Sequence, residues 1–387
     1  MILSKSKEKD LRMDKNTHLS SFSQWLNQID FKQLDETLGQ TGGDKYVKKL
    51  TTKAYMTLFL YAHLQKEDSL RSISDCVLGE ELQKATGLSS ISASQLSRKN
   101  NSVDPQLLMT IFLDLVAKIK GKRAPKIDER LKVVDSTTIP LNAQRYPWAH
   151  FRKTKAGVKL HLRLVFMGKG QVFPEKAVLT SAQVNDRSQL DVLVDEKEAM
   201  YVFDRGYVDY QAFDRFSEEG MFFASRLKKN AVIHVLHDYK VPEKSSILSD
   251  QMILLGGVQN QTENAFRLIV AKDDQGKNIR IITNRFDLSA TEISDVYRHR
   301  WAIELFFKWL KQHVRIRTFY GQSETAVQNQ LLLALIHYSL FVLIQQKLET
   351  TRSVLQLTRW FKAVLWKSCE QWFRRIRFQM EKRKRVT

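Results

Sequence analysis

The sequence predicts an α/β fold flanked by helical regions on both sides. Three observations carry this. Apolar residues recur at three-to-four spacing from 17 to about 120, at a spacing of two from about 128, and at helical spacing again from 290 onward. Within the middle, three strand-like runs, a helical run and a further strand-like run follow one another, the succession that builds an α/β layer. A second group of short apolar runs over 221–284 then makes a β-rich stretch before the last helices.

The first helical region contains SSFSQWLNQI, AYMTLFLYAHLQ (54–65) and PQLLMTIFLDLVAKIKG (105–121). Thr51 or Thr52 is the expected N-cap of the second helix. Between the last two, SLRSISDCVLGEELQKATGLSSISASQLSRKN predicts two or three short helices divided at Gly87. Ser92 to Asn100 is small, polar and basic, which suits a helix-turn-helix-like module lying along a phosphate backbone. A helical bundle with a polar face has the same pattern.

RLKVVDSTTIPL (130–141) reads as a strand, and VKLHLRLVFM (158–167) alternates. Val158, Leu160, Leu162, Leu164 and Phe166 share one face of it; Lys159, His161 and Arg163 share the other. QVFPEKAVLT (171–180) is expected at an edge because Pro174 has no N–H to give a ladder. Residues 186–197 are expected as a helix and AMYVFD (199–204) as a fourth strand. MFFASRL, AVIHVL, QMILLGG, FRLIVAKDD and NIRIITN form the β-rich stretch, with a hairpin turn at 273–276. Helix resumes over 290–314. The apolar run Leu331–Ile344 has 14 residues and contains His337. A membrane span needs roughly 20, so a buried core helix is expected.

Composition narrows the function. The chain has 387 residues, 43% of them hydrophobic, which excludes a mostly disordered protein. Only 15 Gly and 6 Pro exclude collagen-like and low-complexity classes. Two cysteines, Cys76 and Cys369, build neither a disulfide framework nor a Cys-rich zinc site, and a reducing compartment follows. Residues 1–16 are too polar for a signal peptide, so a cytoplasmic protein is expected. Lys and Arg number 62 against 42 Asp and Glu, a net charge of +20. Such a charge calls for a polyanion: nucleic acid first, an anionic membrane surface as the rival.

Two carboxylates fall at strands. Asp135 follows LysValVal in the first, and Asp204 closes TyrValPhe and opens AspArgGlyTyr. A carboxylate fixed at a strand can hold a divalent cation through oxygen, although strands also end in Asp before ordinary turns. The segment YRHRWAIELFFKWLK adds a third. Tyr297, Arg300, Glu304 and Lys311 stand at offsets 0, 3, 7 and 14. On one helix these fall within roughly 60° of one another. Ile303, Phe306, Phe307, Leu310 and Val314 make an adjacent apolar stripe, with Trp301 and Trp309 expected as packing residues. A salt bridge from Glu304 to Arg300 or Lys308 is the simpler use of the same pattern.

The pattern Y-(2)-R-(3)-E-(6)-K resembles the signature of IS4-type DDE transposases of bacterial insertion sequences. DRGY at Asp204–Tyr207, the VVDSTTI setting of Asp135, LysLeuHis at 159–161 after WAHFRKTKAG, and the β-rich stretch before the glutamate helix extend the resemblance over about 130–345. It implies a ribonuclease H-like catalytic core interrupted by a β-rich insertion. Residues 1–125 would be a helical domain for DNA-end binding or dimerisation, 126–220 the first part of the core, and 221–288 the insertion. The core would resume over 289–345, followed by a basic helical region over 346–387. Asp135, Asp204 and Glu304 would be the catalytic and metal-binding triad, holding two Mg²⁺ ions for which Mn²⁺ can substitute. Tyr297, Arg300 and Lys311 would contact DNA phosphates, with Arg205, Lys159 and His161 as further DNA-contact candidates. Implied partners are double-stranded DNA, as terminal inverted repeats and target, and a second copy on paired ends, with no membrane. The protein would be nucleoid-associated. Family members use an insertion tryptophan to receive a flipped base during hairpin formation. Residues 205–290 contain no Trp, leaving Phe222, Phe223, His234, Tyr239 and Phe266 as stacking substitutes. The alternative reading is a non-catalytic DNA-binding protein using 70–100 and the basic run 374–385.

Overall fold

The computed structural model describes residues 20–368 except 122–129, 153, 167–170, 242, 244, 274 and 314–318. Residues 1–16, Val314, Cys369 and the basic run 374–385 lie outside the described residues.

Among the described residues, seven helices come first: α1 (Ser21–Leu26), α2 (Phe31–Thr41), α3 (Thr52–Gln65), α4 (Leu70–Cys76), α5 (Glu80–Thr86), α6 (Ala93–Ser102) and α7 (Pro105–Lys120). Thr51 is the N-cap of α3, its hydroxyl accepting from the Ala54 N–H. Gly87 ends α5 in the left-handed conformation, where glycine carries no Cβ penalty. The segment 92–100 is not free to lie on DNA as a whole. Leu96, Lys99 and Asn100 of α6 are buried. Lys99 Nζ lies 2.5 Å from Asp44 Oδ1, and Tyr55 donates to Asn100 Oδ1 at 2.7 Å.

The sheet follows: β1 (Leu131–Leu141), β2 (His150–Arg152), β3 (Lys155–Phe166), β4 (Val172–Ser181), the short α8 (Leu190–Leu193), β5 (Met200–Phe203), α9 (Tyr210–Glu218) and β6 (Phe222–Arg226). The strands β7 (Ile233–Asp238), β8 (Ile247–Leu255), β9 (Phe266–Lys272) and β10 (Asn278–Thr283) complete it. The order is β2-β3-β1-β5-β6-β10-β9-β8-β7, with β4 on β3. β3 runs antiparallel to β1 and β4, whereas β5 and β6 run parallel to β1. Three antiparallel strands followed by two parallel ones are the ribonuclease H-like arrangement. Pro174 sits in the edge strand β4, as expected. β6, grouped by sequence with the β-rich stretch, is a strand of the core. The rest of that stretch extends the same sheet, because β10 pairs with β6. The helix expected over 186–197 shrinks to a 3-10 turn (Asp186–Gln189) and α8.

Among the described residues, four helices follow: α10 (Ala290–Arg298), α11 (Trp301–His313), α12 (Glu324–Lys347) and α13 (Val354–Lys362). α12 is long and apolar enough to cross a membrane, but it is buried in the protein. It packs on α3, α6, α7, α13 and β4, joining the first helices to the sheet.

The strand face with Lys159, His161 and Arg163 is not a solvated one. Arg163 Nε lies 2.6 Å from Glu175 Oε2, and Lys132 Nζ lies 2.9 Å from the same oxygen. Glu196 closes the cluster at 2.6 Å from Lys132 and 2.7 Å from Arg163. Buried charges persist only when paired in this way.

Candidate active site

Asp135 lies in β1 and Asp204 directly after β5. These strands are parallel neighbours in the register Val133↔Val202. Asp135 and Asp204 each come two residues beyond this pair, and the Asp204 charge acts on Asp135. The Ser136 N–H donates to Asp135 Oδ1 at 2.8 Å. Burial raises the Asp135 carboxyl to about 6. The Ser136 hydrogen bond and Arg300 oppose that rise, while Asp204 and Asp186 add to it.

Glu304 lies one turn into α11, half-buried. Arg300 Nη2 donates to its Oε1 at 2.6 Å, and Arg300 Nη1 stands 3.8 Å from Asp135 Oδ2. One guanidinium therefore links two of the three predicted carboxylates. Burial works against its charge, but Tyr297, Glu304 and Asp204 around it hold it more firmly protonated than usual.

The single helical face expected for Tyr297, Arg300, Glu304 and Lys311 is corrected. Tyr297 belongs to α10, whereas Glu304 and Lys311 belong to α11. Between the helices, Arg300 N–H donates to Tyr297 O at 3.1 Å and Ala302 N–H to His299 O at 3.0 Å. These i→i+3 bonds tighten the chain into a turn, a break that apolar periodicity does not register. Tyr297 still reaches the site. It is buried, its hydroxyl pushed up to about 12 by that burial, with Arg300 opposing and Asp204 reinforcing. Lys311 is half-buried on α11.

Arg205 is exposed in the turn after Asp204. Lys159 and His161 are turned elsewhere. Lys159 Nζ donates to Val184 O at 2.8 Å and lies 3.2 Å from Asp186 Oδ1. His161 is fully buried, its Nε2 3.0 Å from Thr180 Oγ1 and its Nδ1 3.6 Å from Asp186 Oδ1. Burial pushes its imidazole down to about 4, so it is neutral and out of reach of a DNA phosphate. Trp301 is 58% exposed and Leu305, one turn on, 51% exposed, so Trp301 is not a packing residue. Trp309 does pack, 4.7 Å from the Tyr338 ring. Of the stacking substitutes, Phe223 and Phe266 are core residues, and Arg285 covers Phe222 at 4.3 Å.

Asp186 is the residue sequence reasoning missed. Ser136 Oγ donates to its Oδ1 at 2.6 Å, and Lys159 and His161 face that same oxygen. The Tyr207 hydroxyl is buried among Asp135, Asp186 and Asp204, and burial first, then those carboxylates, push it up. Two basic side chains alternating on one strand face were the available signal: a buried pair needs a carboxylate opposite.

The donor set is all oxygen, which suits a hard divalent cation. Among the described residues no three His, Cys, Asp or Glu side chains already stand as a metal cluster, and Glu304 is paired with Arg300. The guanidinium beside Asp135 and Glu304 marks where positive charge is favoured. The residues therefore fit such an ion once Glu304 exchanges partners.

Residues 126–340 match the family described as the transposase DDE domain. The chain belongs to that family. Residues 17–88 match a second family, described as a domain of unknown function (DUF4372). A probable transposase for insertion sequence element IS5377 of Geobacillus stearothermophilus is 30% identical over 333 residues, covering 85% of each chain. A protein of Sinorhizobium fredii named as a transposase, y4zB, is 30% identical over 233 residues, 59% of this chain and 64% of that one. A piggyBac transposase synaptic complex with hairpin DNA, solved by cryo-EM, overlays with a TM-score of 0.49 and 8% identity, covering 94% of this chain and 83% of that one. The chain is thus an IS4-like DDE transposase, a DNA-binding enzyme that cleaves and transfers DNA strands.

Proposed function

We propose that this transposase cuts the terminal inverted repeats of its own insertion sequence and joins them to target DNA at a site formed by Asp135, Asp204 and Glu304. The observation that supports this reading is that Arg300 bridges Glu304 and Asp135, with Asp204 on the neighbouring strand. Asp135, within β1, and Asp204, directly after β5, lie on adjacent parallel strands. These carboxylates would hold two Mg²⁺ ions, or Mn²⁺, which would lower the pKa of the attacking water or DNA 3′-hydroxyl and stabilise charge at the leaving oxygen.

The chain's own residues do the rest. Ser136 N–H fixes the orientation of the Asp135 carboxylate. Glu304, with Asp135 and Asp204, would hold the cation, and Arg300, which now pairs with Glu304, would then be available to a DNA phosphate. Tyr297 lies buried beside Arg300. Lys311 and exposed Arg205 contribute positive charge along the strand path. Trp301 and Leu305 offer an apolar strip beside Glu304 for a displaced base, in place of the insertion tryptophan. A second copy holds the other end, so cleavage is coupled to pairing of ends.

The test is end cleavage. DNA carrying the ends that flank the gene is incubated with the protein in Mg²⁺ or EDTA, beside Asp135→Asn, Asp204→Asn and Glu304→Gln. Metal-dependent cuts at the element boundary, absent from all three variants, are expected. Full cleavage by the Glu304→Gln protein would mean that another residue supplies the third carboxylate.

A further inference from the structure

The turn at 44–47 has no role in the site above and lies in the helical region that precedes the catalytic core. Lys45 N–H donates to Gly42 O and Val47 N–H to Asp44 O, both at 3.0 Å. Tyr46 is thus the third residue of a hydrogen-bonded turn, with φ of 64°. That position belongs to glycine or asparagine, and a bulky side chain there is strained. Strain of this kind persists only where something else maintains it. Burial does not, since Tyr46 is 88% exposed. Lys45 Nζ stands 5.3 Å from the centroid of its ring.

The turn is nevertheless held firmly. Asp44 accepts from the Thr52 N–H and the Thr52 hydroxyl, both at 2.8 Å, and pairs with buried Lys99. The one acidic group of residues 42–50 is therefore turned inward and neutralised. Lys45, Lys48 and Lys49 all face outward, Lys49 resting on Ser90 Oγ at 3.0 Å. An exposed aromatic ring amid outward lysines on a fixed turn matches the chemistry of DNA: phosphates for the ammonium groups, sugar and base faces for the ring.

We propose that residues 44–49 form a DNA-contacting hook of the N-terminal helical region, with Lys45, Lys48 and Lys49 on the phosphates of a duplex and Tyr46 entering its groove. This rests on the reading of the chain as a DNA transposase acting on its own ends. It also gives the strained tyrosine a reason to exist, because asparagine would serve the fold better.

The experiment measures binding of a duplex carrying the element's end by fluorescence anisotropy across a salt series, with melting temperatures alongside. Tyr46→Asn is expected to melt no lower than the unaltered chain and to bind about 10- to 100-fold more weakly. Tyr46→Phe, which keeps the ring, is expected to bind normally. The triple change of Lys45, Lys48 and Lys49 to Ala should flatten the dependence of log K on log salt by about 0.9 for each phosphate that the lysines had neutralised. A lower melting temperature for Tyr46→Asn, or normal binding and salt slope in both the asparagine and triple-alanine proteins, overturns the hook while leaving the transposase reading intact. Failure of the unaltered chain to bind the end overturns both.

Discussion

Replacing Asp135 by Asn should make the metal-free protein more stable while abolishing its activity, and the size of the effect can be worked out. Burial, with Asp204 and Asp186 nearby, raises the carboxyl from 3.8 to about 6. That difference corresponds to about 3 kcal/mol of unfavourable charge in the folded state. The side chain is 21% exposed, so solvent screens it only in part. A raised carboxyl favours its protonated form in the folded protein. The charge on Asp135 is therefore without cost below the unfolded value of 3.8, and it destabilises progressively as pH rises through about 6. Asparagine has the same shape, keeps an oxygen for the Ser136 N–H, and carries no charge.

Urea unfolding in EDTA tests this. At pH 7.5 the Asn protein should be more stable by up to about 3 kcal/mol, and near pH 4 the two should nearly coincide. Mg²⁺ should narrow the gap at pH 7.5, because only the aspartate form gains binding energy. Equal stability at pH 7.5, or a gap that persists undiminished near pH 4, would refute the reasoning. Either result would show that Asp135 does not sit among carboxylates in a partly dry setting.

Two further outcomes follow from the charge clusters. Glu175→Ala removes the buried carboxylate between Lys132 and Arg163 and should cost about 3 kcal/mol of stability; replacing all three by Leu or Met should be close to neutral, both read by chemical denaturation. Asp186→Asn leaves Lys159 without its carboxylate partner and weakens the support of Ser136. It should lower end cleavage and Mn²⁺ affinity about 10- to 100-fold with little change in melting temperature.

The core strands were readable because each has one apolar face with a period of two. In β3, Val158 to Phe166 pack as the alternation requires. The opposite face is harder to read, because the DNA contacts suggested for Lys159 and His161 give way to buried partners for Lys159, His161 and Arg163. Those partners are Asp186, Glu175, Asp195 and Glu196, which a local window cannot pair with them. The helix break at His299 and Arg300 was hidden for a related reason. The apolar stripe of α11 runs from Ile303, whereas the turn before it is written only in backbone bonds.

That break also bears on how the site works. In one continuous helix, Tyr297 and Glu304 would be rigidly spaced, and any movement of the glutamate would carry the tyrosine with it. Two helices meeting in a tight turn at Arg300 uncouple them. Tyr297 stays packed in the core at the end of α10, while Glu304 begins α11 with a side chain still half-exposed. Arg300, at the joint, holds Glu304 at 2.6 Å and faces Asp135 at 3.8 Å. Its own contacts therefore favour a geometry in which the carboxylates share a guanidinium. On the proposed reading, Asp135 and Glu304 would take positive charge from a bound divalent cation, and Arg300 would take negative charge from a nearby phosphate. On that reading the full ligand set would form only with metal and DNA both present, which would restrain cleavage until an end is engaged.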